Sequence, residues 1–130
     1  MSKRFVLMAD DEPHVLRVLR LMLEREGYEV QTANDGNEAL AKMADRRPDV
    51  MVSDIQMAGM DGRTLCRTTR ERYPDDNFLI LVMTSMTAAA ERGWVSELNN
   101  VEFLEKPLSP RQLVARLAKY FSAPENQNAT

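Results

Sequence analysis

A chain of 130 residues with a net charge of −3, 44% apolar and 28% charged residues has the composition of one globular domain. This balance excludes a strongly basic nucleic-acid-binding protein and a disordered acidic tail, so we expect no direct contact with nucleic acid. The single cysteine, Cys66, excludes an internal disulfide framework, and the first apolar run, residues 5–9, is too short for a signal peptide or a membrane span. We therefore expect a cytoplasmic protein without membrane contact.

Apolar runs without a helical period alternate along the chain with segments whose apolar residues recur at three- and four-residue steps. The first pattern predicts strands and the second predicts amphipathic helices, with glycine, proline and Asn-Asp-Gly turn signals between them. The predicted elements are, in chain order, a strand at 5–9, a helix at 15–26, a strand at 28–33, a helix at 37–46, a strand at 50–54, a helix at 63–73, a strand at 78–83, a helix at 88–98, a strand at 101–104 and a helix at 110–121. Five strand-helix units predict an α/β fold, in which a parallel five-stranded sheet carries helices on both faces.

The third predicted strand, residues 50–54, is apolar enough to be buried on both faces, and it ends on Asp54. In a parallel sheet the carboxyl ends of the strands meet at one edge, where ligands and chemistry collect. Three other strands also end in reactive polar groups at that edge: Asp10-Asp11 after the first, Thr84 after the fourth and Lys106 after the fifth. We therefore expect these side chains to converge.

Carboxylates that converge in a partly buried crevice repel one another, so they either raise each other's pKa or recruit a cation. Oxygen ligands without a nearby histidine favour Mg²⁺ over calcium or zinc. An ion held by Asp11 and Asp54 would offset the repulsion between a carboxylate and an anionic phosphoryl group. Lys106 and the Thr84 hydroxyl suit further phosphoryl oxygens, so the set predicts acceptance of a phosphoryl group on Asp54 as an acyl phosphate.

Over residues 4 to about 121 the chain resembles the receiver domain of bacterial two-component response regulators. The spacings of 30 residues from Asp54 to Thr84 and 22 from Thr84 to Lys106 are typical of that family. The matching residues are Asp10-Asp11, Asp54, Met57, Gly59, Met60, Asp61, Gly62, Thr84, Phe103 and Lys106-Pro107. The resemblance implies a flavodoxin-like, three-layer αβα domain at residues 1–123, with strand order 2-1-3-4-5 and five helices. The polar composition of residues 124–130 predicts a disordered tail.

The resemblance also implies a metal site and a phosphoryl donor. A sensor histidine kinase or a phosphotransfer protein would donate the phosphoryl group to Asp54. Mg²⁺ would be bound by Asp11, Asp54 and the main-chain carbonyl of Gln56, and Asp10 would act through water. The domain would assist its own phosphorylation and dephosphorylation, and it would not be an enzyme with a separate substrate.

The same resemblance implies a conformational switch. Lys106 would bridge to the phosphoryl group, and its bond to Pro107 would be cis. Thr84 would follow the phosphate while Phe103 turns inward, and this would change the face formed by helix four, strand five and helix five. A downstream effector or an output domain, whose identity the residues leave open, would read that face.

Several positions depart from the family pattern or vary within it. Ala58 stands where the family usually has proline, and Asn99-Asn100 replaces Gly-Ala at the end of helix four, where asparagine tolerates a left-handed cap. Gln56 and Met86 occupy two variable positions that influence how water reaches the phosphoryl group. Because the apolar Met86 cannot orient water, we expect the acyl phosphate to persist.

Two alternative functions stay open, and the oligomeric state is a separate question. A haloacid-dehalogenase-type phosphatase also uses a strand-end Asp, but Gln56 stands where those enzymes have a second Asp, and here the acidic pair comes first in the chain instead of last. A receiver-like binding module that is not phosphorylated is another. Phosphorylation-dependent homodimerisation is a hypothesis, because Glu102 and Arg116 match dimer-forming relatives but Gln112 replaces an acid.

Overall fold

The computed structural model describes residues 3–84, 93–106 and 109–122, and its elements follow the predicted order. The predicted helix at 88–98 is described only from residue 93, and residues 93–96 are helical and are called α4. Met86, Pro107 and the predicted tail at 124–130 lie outside the described residues. The remaining elements are β1 Phe5–Ala9, α1 Pro13–Arg25, β2 Glu29–Ala33, α2 Gly36–Asp45, β3 Val50–Asp54, α3 Gly62–Arg72, β4 Leu79–Thr84, β5 Val101–Glu105 and α5 Pro110–Ser122.

The strands form one parallel sheet in the order β2-β1-β3-β4-β5, as expected. Asp54, the last residue of β3, pairs with Met83, and Thr84, the last residue of β4, pairs with Glu105. These neighbouring strands therefore end at nearly the same level. Whatever follows them meets at one edge of the sheet, which we call the carboxyl edge.

The helices cover both faces of the sheet, which gives the predicted three-layer architecture. Helices α1 and α5 pack on one face, and α2, α3 and α4 pack on the other. Strands β1, β3 and β4 are buried along their whole length because both of their faces are covered. Each fully buried Leu or Met contributes about 1.5–3 kcal/mol by leaving water. No helix in the described part of the chain combines the length and apolar character that a membrane span requires.

Cys66 and Trp94 belong to the layer formed by α2, α3 and α4. Both side chains are buried in its core, and the Arg63 guanidinium lies 5.8 Å from the centre of the Trp94 ring. Burial raises the pKa of the Cys66 thiol to about 12. The thiol is therefore protonated at neutral pH and acts as a packing group.

Helix α3 begins directly against the end of β3. The Gly62 amide donates to the Ile55 carbonyl at 2.8 Å, and a Cβ atom at position 62 would lie 2.3 Å from the Asp54 carbonyl oxygen. Only glycine allows this approach. The Asp61 side chain accepts a hydrogen bond from the Thr64 amide at 2.9 Å, which caps the helix at the same place.

At the opposite edge of the sheet, Arg70 ties two chain segments together. Its guanidinium donates to the carbonyls of Asp76 at 3.2 Å, Phe78 at 2.6 Å, Asn99 at 3.0 Å and Asn100 at 3.2 Å. Burial lowers the pKa of Arg70. Asn100 has a φ of 55°, so an asparagine does occupy the left-handed conformation after α4. The contacts fix the chain just before β4 and β5 begin.

Candidate functional site

Asp54 and Lys106 form an ion pair at the carboxyl edge. Asp54 is 3% exposed, and its Oδ2 atom lies 3.1 Å from the Lys106 ammonium nitrogen. The Lys106 amide donates to the Thr84 carbonyl at 2.7 Å, which extends the pairing of β4 and β5 by one residue. Strand pairing therefore positions the lysine whose side chain reaches the carboxylate at the end of β3.

Asp10 lies beside this pair and is fully buried. Its Oδ1 atom accepts a hydrogen bond from the Glu12 amide at 3.0 Å, whereas Oδ2 is buried and has no hydrogen-bond partner among the described residues. Burial is the main reason that the pKa of Asp10 is raised to about 6; the hydrogen bond from the Glu12 amide and the charge of Lys106 lower the pKa, and the charges of Asp54 and Glu12 add to the rise. A buried carboxylate with one unpaired oxygen favours a proton or a cation.

Glu12 completes a group of three carboxylates. One oxygen atom each from Asp10, Glu12 and Asp54 lie within 4.8 Å of one another. Asp11 is outside this group: it is exposed, and its Oδ2 atom accepts a hydrogen bond from the Ala58 amide at 3.2 Å, in the loop after β3. The sequence reasoning assigned no role to Glu12. The available signal was the two-residue step from Asp10 to Glu12 in extended chain, which returns a side chain to the same side.

The other predicted site residues lie at or near the same edge. Thr84 is 1% exposed at the end of β4, and Gln56 is exposed just beyond Asp54. Phe103 is partly buried against the core formed with α2, α3 and α4. The predicted tuning residue Met86 and the predicted cis peptide before Pro107 lie outside the residues that are described.

A divalent cation fits the residues at this edge. The available donors are carboxylate oxygens, which suit a hard ion such as Mg²⁺, and the unpaired Asp10 oxygen is a buried acceptor that a cation would satisfy. Three carboxylates face one lysine, so a positive charge is also favoured electrostatically. Glu12 and Lys106 line a cavity of about 380 Å³ together with Met83 and α1. The cavity therefore lies beside two residues of the site, on the face of the sheet that α1 covers.

Comparison with known proteins identifies relatives of this fold. The sequence profile of the family described as response regulator receiver domain matches residues 6–118. The chemotaxis protein CheY4 of Vibrio cholerae is 31% identical, with a TM-score of 0.84 over 91% of this chain and 98% of that one. The receiver domain of the hybrid histidine kinase CckA is 28% identical, with a TM-score of 0.72 over 88% and 96%. A CheY-like receiver domain protein of Methanospirillum hungatei, 24% identical, shares the fold with a TM-score of 0.87 over 97% and 99%.

Proposed function

Because the chain belongs to the response regulator receiver domain family, we propose that it is a phosphoacceptor and that Asp54 is its phosphorylation site. The donor is the phosphohistidine of a sensor histidine kinase or a phosphotransfer protein. The observation that carries the proposal is the buried Asp54 carboxylate, 3.1 Å from Lys106 and close to two further carboxylates. The domain acts as a cytoplasmic signalling component and not as an enzyme with a separate substrate.

The transfer exchanges one phosphorus bond for another. A carboxylate oxygen of Asp54 forms the new O–P bond as the P–N bond to the donor histidine breaks, and the imidazole leaves with that electron pair. The Lys106 ammonium moves from Asp54 to a phosphoryl oxygen, and the Thr84 hydroxyl donates to another. Both residues lie at strand ends that the sheet holds beside Asp54. The reaction therefore needs only short side-chain movements.

Asp10, Asp11, Asp54 and the Gln56 main-chain carbonyl would hold Mg²⁺ in this proposal, as the family resemblance implies. When bound, the ion would supply positive charge that offsets the repulsion between carboxylate and phosphoryl group. The unpaired oxygen of Asp10 supports this assignment, because it is buried and receives no hydrogen bond from residues 3–84, 93–106 or 109–122. Asp11 would leave the Ala58 amide or use its second oxygen.

Phosphorylation would alter the face formed by α4, β5 and α5, with Thr84 and Phe103 moving together, and a downstream effector or output domain would bind that face. Glu102 and Arg116 already pair within the chain, at 3.0 and 2.5 Å. Homodimerisation through these charges would require the internal pair to open. Light scattering with beryllofluoride and Mg²⁺ tests the dimer hypothesis. If the protein stays monomeric, the dimer hypothesis is wrong, but the proposed phosphoacceptor role is unaffected.

The test of the main proposal is phosphoryl labelling. Wild type mixed with acetyl phosphate and Mg²⁺ should gain one phosphoryl group by mass spectrometry, and Asp54→Asn should gain none. Asp75→Asn is a matched control, because Asp75 is an exposed acid at the other edge of the sheet. Labelling that persists in Asp54→Asn contradicts the assignment of the site. Catalytic turnover of a phosphomonoester would instead support a phosphatase, and an unlabelled wild type would support a binding module.

A further inference from the structure

We propose that Glu12 is an additional carboxylate of the divalent-cation site. Together with Asp10 and Asp54, it contacts the ion or the water bound to the ion. The proposal rests on the proposed function and goes beyond it, because the family resemblance assigns the metal to Asp10, Asp11, Asp54 and Gln56. It predicts that this chain holds Mg²⁺ more tightly than those four residues alone would.

The first observation is where the Glu12 carboxylate lies. One of its oxygens is within 4.8 Å of an Asp10 oxygen and an Asp54 oxygen, close enough for one ion and its bound water to contact all three. Without a cation, three carboxylates at this spacing repel one another. The geometry is therefore costly for the apo protein and favourable for the metal-bound one.

The second observation concerns the hydrogen bonding of one atom and not the spacing of the three carboxylates. The Oδ2 atom of Asp10 is fully buried and accepts no hydrogen bond from any described residue. Buried acceptors are normally paired, so this atom favours a partner that the described residues do not supply, and a cation is one such partner. The other oxygen of Asp10 is held by the Glu12 amide at 3.0 Å, and this contact fixes Asp10 and Glu12 relative to one another.

The third observation is that the Glu12 side chain does not cap the helix that begins after it. Glu12 is the N-cap residue of α1, but its carboxylate makes no capping hydrogen bond. Its carbonyl accepts from the amides of Val15 at 3.1 Å and Leu16 at 3.2 Å, so the main chain is fixed while the carboxylate stays available. The side chain also lies 3.9 Å from the exposed imidazole of His14, a contact that is an ion pair only when His14 is protonated. A contact of this kind contributes little.

Asp11 shows the opposite arrangement. It is exposed, and one of its oxygens accepts from the Ala58 amide at 3.2 Å. This donor exists because position 58 is alanine; a proline there has no amide hydrogen. In this chain Asp11 therefore holds the loop after β3, and Glu12 adds the carboxylate that faces Asp10 and Asp54.

The test measures cation binding directly. Mg²⁺ affinity is measured by isothermal titration calorimetry, and Mn²⁺ affinity by the electron paramagnetic resonance signal of free Mn²⁺, for wild type, Glu12→Gln and Glu105→Gln. Glu105 is an exposed acid at the end of β5, next to Lys106 and outside the carboxylate group. Both substitutions remove one negative charge near the site, but only the first removes an oxygen of the cluster. Thermal unfolding confirms that both variants are folded.

We expect Glu12→Gln to raise the Kd for Mg²⁺ about tenfold, as loss of a residue supporting a metal site does. Glu105→Gln should change it by about twofold or less, because an exposed charge is screened at about 0.15 M salt. Glu12→Asp, which keeps the charge on a shorter side chain, should fall between wild type and Glu12→Gln. Equal shifts in Glu12→Gln and Glu105→Gln, or no shift in either, overturn the proposal.

Failure of this inference is separable from failure of the proposed function. If wild type is labelled on Asp54 while Glu12→Gln binds Mg²⁺ as tightly as wild type, only the role of Glu12 is wrong. If wild type is not labelled at all, the phosphoacceptor role is wrong whatever the metal titration shows. A wild type that binds no Mg²⁺ overturns the role of Glu12 as well.

Discussion

The two edges of the sheet are both rich in charge, yet they use it differently. At the edge where the strands begin, Asp49 and Asp76 each have a partner among the described residues. The Asp49 carboxylate accepts from the Phe5 amide at 2.7 Å, and the Arg47 guanidinium lies 3.4 Å from Asp76. These contacts hold the loops at this edge in place, so their role is structural.

At the carboxyl edge, carboxylates outnumber cations. Asp10, Glu12 and Asp54 share Lys106, and one Asp10 oxygen has no partner in the described part of the chain. Such a surplus of negative charge destabilises a fold unless a ligand compensates for it. Both edges carry charged residues, but only the carboxyl edge has a buried carboxylate oxygen without a partner among the described residues. That unpaired charge is what distinguishes the candidate site.

The largest loss of stability should come from Gly62→Ala, which introduces a steric clash at the carboxyl edge. The new Cβ would lie 2.3 Å from the Asp54 carbonyl oxygen and 2.8 Å from the Ile55 Cα, both backbone atoms that cannot easily yield. We expect the free energy of unfolding to fall by about 4 kcal/mol in urea titrations. Gly93→Ala is the control, since a Cβ there meets nothing within 4 Å. An equal, small effect of both substitutions would contradict the close approach.

With divalent cations removed by a chelator, we expect Asp10→Asn to raise the free energy of unfolding and Asp49→Asn to lower it. Asp10 has a pKa of about 6 in the folded state against 3.8 unfolded, so its stabilising contribution is complete below about pH 4 and is lost as pH rises through 6. At about pH 7.5, Asp10→Asn should therefore stabilise the protein by at most about 3 kcal/mol. This gain should vanish near pH 4 in thermal unfolding.

Asp49→Asn should instead destabilise the protein at neutral pH by about 1 kcal/mol, because the hydrogen bond from Phe5 loses its charged acceptor. Urea titrations of the two variants under one condition compare the two edges directly. A loss of stability in both would mean that the charge of Asp10 is compensated within the apo protein.

The smallest effect should come from Ala58→Pro, which removes the amide that binds Asp11. Losing one exposed hydrogen bond costs about 1 kcal/mol, and the restricted unfolded chain returns about 0.4–1 kcal/mol. We therefore expect the unfolding midpoint in urea to move little. If the free energy of unfolding fell by much more than about 1 kcal/mol, the contact with Asp11 would stabilise more of the loop than a single hydrogen bond does.

Much of this architecture could be predicted from local pattern. The apolar runs, helical periods and turn signals locate the elements, and alternation of strand and helix predicts a parallel sheet whose carboxyl edge collects Asp10, Asp54, Thr84 and Lys106. The strand order came from the family resemblance and is confirmed. Residue type and strand position were enough for these features.

The roles within the acidic run Asp10-Asp11-Glu12 could not be predicted in the same way. They depend on which backbone amides lie nearby: the Glu12 amide takes one oxygen of Asp10, and the Ala58 amide, 47 positions away, takes one of Asp11. Likewise, the need for glycine at position 62 follows from an approach to β3 that only the folded chain creates. These features depend on contacts that the local sequence pattern does not encode.

Arg70 has a consequence for how a signal could travel through β4 and β5. Its guanidinium clamps the chain just before both strands begin, while their other ends meet at Thr84 and Lys106, joined by one backbone hydrogen bond. β4 and β5 are paired along their length, and β4 is also paired with β3, so the Arg70 contacts restrain one end of a strand pair that stays within the sheet. In the phosphorylation proposed above, movement of β5 would therefore be least restrained at its Lys106 end and most restrained at its Arg70 end.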